Sequence, residues 1–323
     1  MADSGSNPIE GQIDSSRQHR AAAPSPLADG LSVDVEDYYH VEAFADRITP
    51  DMWPQFPSRV VENTHRVLDL LGRLEVRATF FVLGAVAEKE PRLVREIVAA
   101  GHEPGCHSYL HQRIWKWTPA EFREDTRRAV RAIEDAGGQR VIGYRAPTFS
   151  VVRKSLWAIQ ILAEEGFLYD SSVFPIRHDL YGMPEAPRFT FQWECSDGRT
   201  LYEIPPLTVR VLGRNLPVAG GGYLRLLPMW YTRWALRRIE GREHKSAVVY
   251  FHPWELDTEQ PRLAGSWKSR LRHYTNLRKM EARITALARE RQFVPLREYL
   301  QRHLARGPLP KRPVAAETTV VTH

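Results

Sequence analysis

The chain has 323 residues, of which 43% are hydrophobic and 26% are charged, with a formal net charge of +6 at pH 7. This composition is typical of a globular protein, and the length is sufficient for one large domain or two ordinary ones. No apolar run approaches the roughly 20 residues that a membrane-spanning helix needs. The two cysteines, Cys106 and Cys195, exclude a disulfide framework.

The two ends of the chain differ in composition from the middle. Residues 1–26 are rich in Ser, Ala and Pro and contain no apolar segment of the kind that a signal peptide requires. We therefore expect a disordered tail there and a cytoplasmic protein. Residues 305–323 begin with a Pro-rich segment and predict a second disordered tail. A single catalytic domain over residues 27–304, with an extension that starts near residue 180, is expected between them.

From residue 31 to residue 170, short apolar runs alternate with segments of helical periodicity. The predicted strands lie at 31–35, 78–83, 103–106, 141–144 and 167–169, and the predicted helices at 58–74, 91–101, 118–136 and 154–165. Such alternation is typical of an α/β protein with a parallel sheet covered by helices.

The alternation of predicted strands and helices ends near residue 180. Residues 188–193 and 200–204 alternate between apolar and polar side chains on either side of Ser196-Asp197-Gly198, which predicts a β-hairpin. Helices are expected at 227–239 and 277–291, a last strand at 293–296 and a closing helix from residue 297. The triplet Gly220-Gly221-Gly222 fits either a plain loop or a close approach of the backbone to a ligand.

Four clusters of reactive side chains follow predicted strands. Asp34, Glu36 and Asp37 end the first run, and His107 and His111 follow the third, four residues apart on what we interpret as a helix-like turn. Two further strands end at Arg145 and at His252. Because the carboxyl ends of parallel strands meet at one edge of a sheet, these side chains are expected to lie together. Imidazole nitrogens are good ligands for zinc.

These motifs together resemble the polysaccharide deacetylase family, the carbohydrate esterases with a NodB-type homology domain. Ser32-Val33-Asp34-Val35-Glu36-Asp37, Gly220-Gly221-Gly222-Tyr223-Leu224-Arg225 and His252-Pro253-Trp254-Glu255 are similar to its exosortase-associated subgroup, which is linked to exopolysaccharide production. The resemblance extends over residues 27–304. It implies a distorted (β/α) barrel of the polysaccharide deacetylase type with the β-hairpin region inserted.

The resemblance also implies the roles of individual residues. Asp34 corresponds to the catalytic base, Arg145 to the arginine that orients it, and His252 to the general acid. His107 and His111 correspond to ligands of a divalent metal, for which Zn²⁺ is expected and Co²⁺ or Ni²⁺ is possible. The third ligand is open: side chains two apart on a strand share a face, which favours Glu36, whereas Asp37 would serve if the strand ended at Val35.

Four further residues are candidates for the substrate pocket. The backbone N–H of Tyr144 could stabilise an oxyanion, and Pro147 follows it in the Gly143-Tyr144-Arg145-Ala146-Pro147 motif. By resemblance, Asp170 would belong to the pocket wall and Trp254 could stack on a sugar ring. Each aromatic could equally be a core residue.

Positive charge is concentrated near the end of the chain. Residues 262–312 contain fourteen Lys or Arg and three Glu, a net charge of +11, so the other residues sum to −5. Such a segment could bind an anionic glycan or a membrane surface, or could simply be a solvated helix face. We find no nucleic-acid-binding motif.

The sequence therefore predicts a metal-dependent enzyme that removes the N-acetyl group from hexosamine residues of an exopolysaccharide or its precursor. Two alternatives stay open. The unusual carboxylate cluster at 34–37 is compatible with a metal-independent amidase acting on a small ureide, as in allantoinases. A non-catalytic glycan-binding module is less compatible, because Asp34 and His252 are both present.

Overall fold

The computed structural model describes residues 28–218 and 220–314. The strands are β1 (Asp29–Val35), β2 (Thr79–Val82), β3 (Glu103–Cys106), β4 (Gly143–Tyr144), β5 (Tyr169–Asp170), β6 (Phe191–Glu194), β7 (Thr200–Glu203), β8 (Thr208–Val211), β9 (Arg214–Pro217), β10 (Val248–Phe251), β11 (Phe293–Val294) and β12 (Lys311–Pro313). The helices are α1 (Val60–Arg73), α2 (Gly84–Lys89), α3 (Pro91–Ala99), α4 (Pro119–Gly137), α5 (Trp157–Glu164), α6 (Gly221–Leu226), α7 (Met229–Arg238), α8 (Trp267–Tyr274), α9 (Met280–Glu290) and α10 (Leu296–Leu304).

A largely parallel sheet organises the molecule. Its strand order is β10-β1-β2-β3-β4-β5-β7-β6-β12, with β11 also paired to β1. All pairs from β10 to β7 are parallel, and β6 and β7 form the predicted antiparallel hairpin. β8 and β9 form a separate two-stranded sheet. The α/β architecture and the inserted hairpin are therefore as predicted.

The central strands are buried because both faces of a parallel sheet are covered. Every residue of β1 and β2 is buried, and the buried faces of the amphipathic helices α1, α3 and α4 belong to the same core cluster. Gly143 shows how tight this packing is, since a Cβ atom there would lie 2.2 Å from the Tyr169 ring. Only glycine fits at that position of β4.

Helix α4 begins and ends where its sequence directs. The Thr118 hydroxyl accepts from the Glu121 N–H, the Glu121 carboxylate accepts from the Thr118 N–H, and Pro119 occupies the first helical position. At the other end Gly138 adopts the left-handed conformation at φ 65°, which closes the helix.

The predicted turn between the two histidines is wrong. Residues 107–111 form a loop after β3, in which Ser108 and His111 have φ values of 62° and 52°. A helix requires negative φ, so the spacing of four does not reflect helical periodicity here. The two imidazole rings nevertheless approach each other, with centroids 5.3 Å apart.

The prediction of a disordered C-terminal tail is wrong for residues 311–313. Residues 311–313 form β12, which adds to the edge of the sheet beside β6. Proline is tolerated on an edge strand because one side of that strand makes no ladder hydrogen bonds. The Pro-rich composition of this segment therefore did not distinguish an edge strand from a disordered tail. The predicted N-terminal tail at 1–26 lies outside the described residues. Across the described segments, no helix combines the length and apolar character needed to cross a membrane.

Candidate active site

The register of the sheet brings the predicted site residues to one edge. Val35, Val82, Cys106 and Tyr144 stand side by side across β1, β2, β3 and β4. The next residues along three of these strands are Glu36, His107 and Arg145, which therefore leave the sheet at the same level. On the other side of β1, Val33 pairs with Phe251, so that His252 follows β10 at the level of Asp34. The carboxyl ends of the parallel strands thus carry all four predicted clusters on one side of the sheet.

Arg145 is the buried cation of the site and is only 1% exposed. Its Nη1 donates to Asp34 Oδ1 at 2.8 Å and to Ser32 Oγ at 2.7 Å, and its Nε and Nη2 donate to Ser171. These bonds satisfy a buried guanidinium and hold the Asp34 carboxylate in one orientation. The predicted partnership of Asp34 and Arg145 is present in the structure.

Glu36, His107 and His111 form a candidate metal centre. Glu36 Oε2 lies 2.6 Å from His111 Nε2 and 3.9 Å from His107 Nε2, and one ligand atom from each residue falls within 4.8 Å of the others. Two imidazoles and one carboxylate, with room for water or substrate, make up a common catalytic zinc set.

The protonation of these groups also fits a cation. The Nδ1 of His107 bonds the carbonyl of Arg145 at 2.8 Å and must donate there, which leaves the lone pair of Nε2 free. Burial lowers the pKa of His107 to about 4, so that its ring is neutral. Among the described residues, the buried Glu36 Oε2 makes no hydrogen bond of good geometry, although His111 Nε2 lies 2.6 Å away, as two ligands of one ion would. The donor set therefore suits a divalent metal.

Asp37, the alternative third ligand, is engaged elsewhere. Its carboxylate accepts from Ser58 Oγ at 2.6 Å and from the N–H groups of Arg59 and Val60, at the first turn of α1. Negative charge at a helix N-terminus satisfies free N–H groups and interacts favourably with the helix dipole. The alternative assignment of Asp37 to the metal is thus wrong in this structure, and the alternation of side chains along β1 explains why Glu36 faces the histidines instead.

Asp125 on α4 holds the histidine loop in place. Its two carboxylate oxygens accept from the N–H groups of Tyr109 and Leu110 at 2.9 and 3.1 Å, and Ser108 Oγ accepts from the His111 N–H. These bonds fix a loop that has no regular secondary structure. Sequence reasoning missed Asp125, because one acidic residue among the many charges of α4 carries no signal by itself.

His252 is held by a buried chain of ion pairs with Glu255 and Arg225. Its Nδ1 lies 3.1 Å from Glu255 Oε2, and Glu255 is in turn bound by Arg225, which also donates to the carbonyls of His273 and Thr275. Although burial opposes it, Arg225 lowers the pKa of Glu255 to about 2. Burial likewise opposes charge on His252, but the carboxylates of Glu36 and Glu255 outweigh it and raise its pKa to about 9.

The ion pair with Glu255 directs the Nε2 of His252 toward the site. His252 Nε2 lies 3.8 Å from Asp34 Oδ2 and 3.6 Å from Glu36 Oε1. Arg225 and Glu255 were noted in the sequence only as parts of motifs. The spacing of three residues between His252 and Glu255, around a proline that starts a short helix, is the signal that could have identified the pair.

A pocket of about 230 Å³ opens above these groups. Its polar lining includes Asp34, Glu36, His107, His111 and His252, and its apolar lining includes Phe149 and Tyr250.

Trp254 belongs to this site, but not as a sugar platform. It is 4% exposed, its ring stacks with those of His252 and His273, and its indole N–H donates to Glu36 Oε1 at 3.2 Å. We conclude that it orients the Glu36 carboxylate.

The side chains of Tyr144 and Pro147 do not line the pocket, and the role predicted for the Tyr144 backbone N–H stays a prediction. Tyr144 and Pro147 are buried, and the Tyr144 ring packs against Phe122 and Phe167. Their neighbours Ala146 and Thr148 line the pocket instead. The motif was placed correctly, but both side chains face the interior, Tyr144 from the end of β4 and Pro147 from the first position of a short 3-10 helix at Pro147–Phe149.

Asp170 lies behind the site, next to Glu203. Both side chains are fully buried, and the Glu203 carboxylate accepts from the N–H groups of Ser172 and Val173 and from the indole of Trp193. Burial raises the pKa of Asp170 to about 6 and that of Glu203 well above its ordinary value. The prediction that Asp170 forms pocket wall is wrong, since this is a structural acid pair.

The fold and the site together define an α/β protein of the distorted (β/α) barrel type, with a candidate metal centre at the carboxyl ends of its strands. Residues 48–165 match the family model described as Polysaccharide deacetylase, and residues 171–301 match the one described as Domain of unknown function (DUF3473). Residues 48–165 therefore form a polysaccharide deacetylase domain, and the second match agrees with the exosortase-associated subgroup.

Two curated relatives illustrate the match. A chitooligosaccharide deacetylase from Bradyrhizobium sp. is 37% identical over 101 residues, which are 31% of this chain and 43% of that protein. A peptidoglycan-N-acetylglucosamine deacetylase from Bacillus cereus is 33% identical over 101 residues, which are 31% of this chain and 37% of that protein. The chain thus spans less than half the length of these relatives.

Solved structures match over most of the chain. One described as a "putative polysaccharide deacetylase" from Mycobacterium smegmatis has a TM-score of 0.56 and 21% identity, and covers 92% of this chain and 100% of its own. Puue allantoinase has a TM-score of 0.57 and 14% identity, with 86% and 90% covered. Both likenesses show the fold, and the predicted distorted barrel type is confirmed.

The raised pKa of Asp170 predicts how stability depends on pH. A carboxyl whose pKa is higher in the folded than in the unfolded state binds more protons when folded, so stability falls as pH rises from about 4 through 6, by at most about 1.4 kcal/mol per pH unit for one proton. Asp170→Asn should remove part of this fall, as measured by urea unfolding at several pH values.

The exposed Asp51 provides a matched control, because Asp51→Asn should keep the wild-type slope. An unchanged slope in Asp170→Asn would show that Asp170 does not hold a proton in the folded protein.

Proposed function

We propose that this protein is a metal-dependent deacetylase that hydrolyses the N-acetyl group of hexosamine residues in an exopolysaccharide or its precursor. The observation that supports this most is the position of three groups around one pocket. A carboxylate and two imidazoles stand at its base, the Asp34–Arg145 pair stands beside them, and His252 faces both carboxylates. The exopolysaccharide assignment rests on the exosortase-associated motifs.

In this proposal Glu36, His107 and His111 hold the metal, with zinc as the first expectation and cobalt or nickel as alternatives. When bound, a divalent metal polarises the amide carbonyl and lowers the pKa of a coordinated water. Trp254 and the Arg145 carbonyl support the ligands, because each fixes one ligand side chain by a hydrogen bond.

Asp34 and His252 divide the proton transfers. Asp34, held by Arg145, accepts the proton of the attacking water while a C–O bond forms at the acetyl carbon. His252 is charged at neutral pH and offers its Nε2–H to the departing nitrogen as the C–N bond breaks. The products are acetate and the free amine of the sugar.

The competing assignments of Glu36 and Asp37 give a direct prediction about metal content. Glu36→Gln should lower metal affinity by several orders of magnitude, because a charged ligand is lost, whereas groups that only support ligands change affinity by roughly 10–100-fold. Asp37→Asn should retain the metal and instead lower the free energy of unfolding by about 1 kcal/mol, since it weakens a helix cap. Elemental analysis and urea unfolding measure the two effects.

The His107→Ala/His111→Ala double variant should be empty of metal. Retention of stoichiometric metal by Glu36→Gln, or its loss from Asp37→Asn, would overturn the proposed ligand set.

The proposed reaction is tested by release of acetate from N-acetylglucosamine oligomers. His252→Ala should reduce turnover by roughly 10²–10⁴-fold, the usual contribution of a general acid. The same variant should change little with 4-nitrophenyl acetate, because that leaving group needs no proton. Equal losses on both substrates would contradict the acid role.

Two outcomes would point to the alternative functions. Hydrolysis of allantoin without acetate release would favour an amidase of the allantoinase type, with which the chain shares its fold. Binding of the oligomers without any acetate release by the metal-loaded protein would favour a glycan-binding module.

A further inference from the structure

Helix α8 exposes large apolar side chains to solvent. Trp267 is 70% exposed and Leu271 is 57% exposed, and their spacing of four residues places them on the same side of the helix. His273 is the buried residue of α8, and its Nε2 lies 2.6 Å from Gln260 Oε1. Tyr274 at the end of α8 also holds the helix, because its hydroxyl donates to the Pro261 carbonyl and accepts from the Leu263 N–H. Trp267 and Leu271 point outward, an arrangement that marks an interaction surface.

The charges of α8 are all positive. Lys268, Arg270 and Arg272 are exposed, and the helix contains no Asp or Glu. No carboxylate in residues 28–218 or 220–314 lies within ion-pair distance of these three side chains. We call Trp267, Leu271, Lys268, Arg270 and Arg272 the α8 surface. Its cations are uncompensated, whereas most exposed arginines in the other helices pair with nearby glutamates.

The α8 surface lies at the mouth of the pocket. Arg272 and His273 line that pocket together with Arg225 and Gly222 of α6. Leu226 at the end of α6 is 39% exposed, so the apolar character extends to the neighbouring helix. In α7, which follows, Trp230 and Trp234 are again exposed at a spacing of four, and the only charged residues of that helix are arginines.

We propose that the α8 surface docks this protein on an anionic lipid bilayer, with the pocket mouth at the level of the headgroups. A helix that lies in a membrane interface combines basic residues with Trp and Leu, as α8 does. Anionic headgroups complement the three cations. An acidic glycan would also attract the cations, but it would not cover Leu271, and α8 offers it no amide or carboxylate side chain for hydroxyl groups. This inference is independent of the proposed reaction.

Sedimentation with lipid vesicles tests the proposal on the full-length protein. The wild type should bind vesicles of phosphatidylcholine with phosphatidylglycerol and should not bind vesicles of phosphatidylcholine alone. Arg270→Glu and the Trp267→Ser/Leu271→Ser double variant should each weaken binding by about tenfold or more, because a headgroup contact or an inserted side chain is lost.

Two exposed positions elsewhere provide matched controls. Arg95→Glu on α3 changes the same charge, and Leu212→Ser, in the turn between β8 and β9 where Leu212 is 98% exposed, changes the same kind of side chain. Both should bind as the wild type does, and circular dichroism should show every variant folded.

Three results would overturn the proposal. The first is failure of the wild type to sediment with phosphatidylglycerol vesicles, and the second is a loss of binding in the control variants as strong as in the α8 variants. The third is binding of soluble alginate through Trp267 without binding of vesicles, which would make the α8 surface a glycan site.

Discussion

The buried guanidinium of Arg145 joins the two halves of the candidate site. The Arg145 side chain fixes Asp34, the proposed base. The Arg145 backbone carbonyl accepts a hydrogen bond from the Nδ1–H of His107, a proposed metal ligand. A buried charge of this kind is stable only while its partners remain, and removal of one partner typically costs about 3–5 kcal/mol. The position of β4 between β3 and β5 therefore determines the geometry of both the base and the metal centre.

The other side of the pocket depends on a second buried cation. Arg225 binds Glu255, which binds His252, so that a positive charge supplied by α6 controls the orientation of the proposed acid. Asp34 and Glu36 precede both matched family segments, which divide the other site residues in the same way. His107, His111 and Arg145 lie in the first, and Arg225, His252 and Glu255 lie in the second. The segment described as a domain of unknown function thus completes the pocket of the deacetylase segment.

Much of this arrangement could be predicted from sequence because it follows from strand ends. Apolar runs identify buried strands, and parallel strands bring the residues after Val35, Cys106, Tyr144 and Phe251 to one edge. Alternation along β1 also favoured Glu36 over Asp37. The structure adds the reason, which is that Asp37 caps α1.

The failures arise where tertiary contacts outweigh local pattern. Asp170 occupies the right strand but points into the interior, and a pattern of residues does not distinguish a pocket wall from a buried acid pair such as Asp170 and Glu203. Asp125 and Arg225 act across long sequence separations, on the loop at 107–111 and on Glu255. The His pair was found despite an incorrect assumption of helical geometry, since a loop with two left-handed residues brings the imidazoles together equally well.

The claim that Asp34 and the metal centre act in one reaction is tested most directly by Asp34→Asn. This change keeps the shape of the side chain and its contact with Arg145 but removes the base. Acetate release from N-acetylglucosamine oligomers should fall by roughly 10²–10⁴-fold, while elemental analysis should still find about one metal per chain. Wild-type turnover in a metal-loaded Asp34→Asn variant would contradict the account.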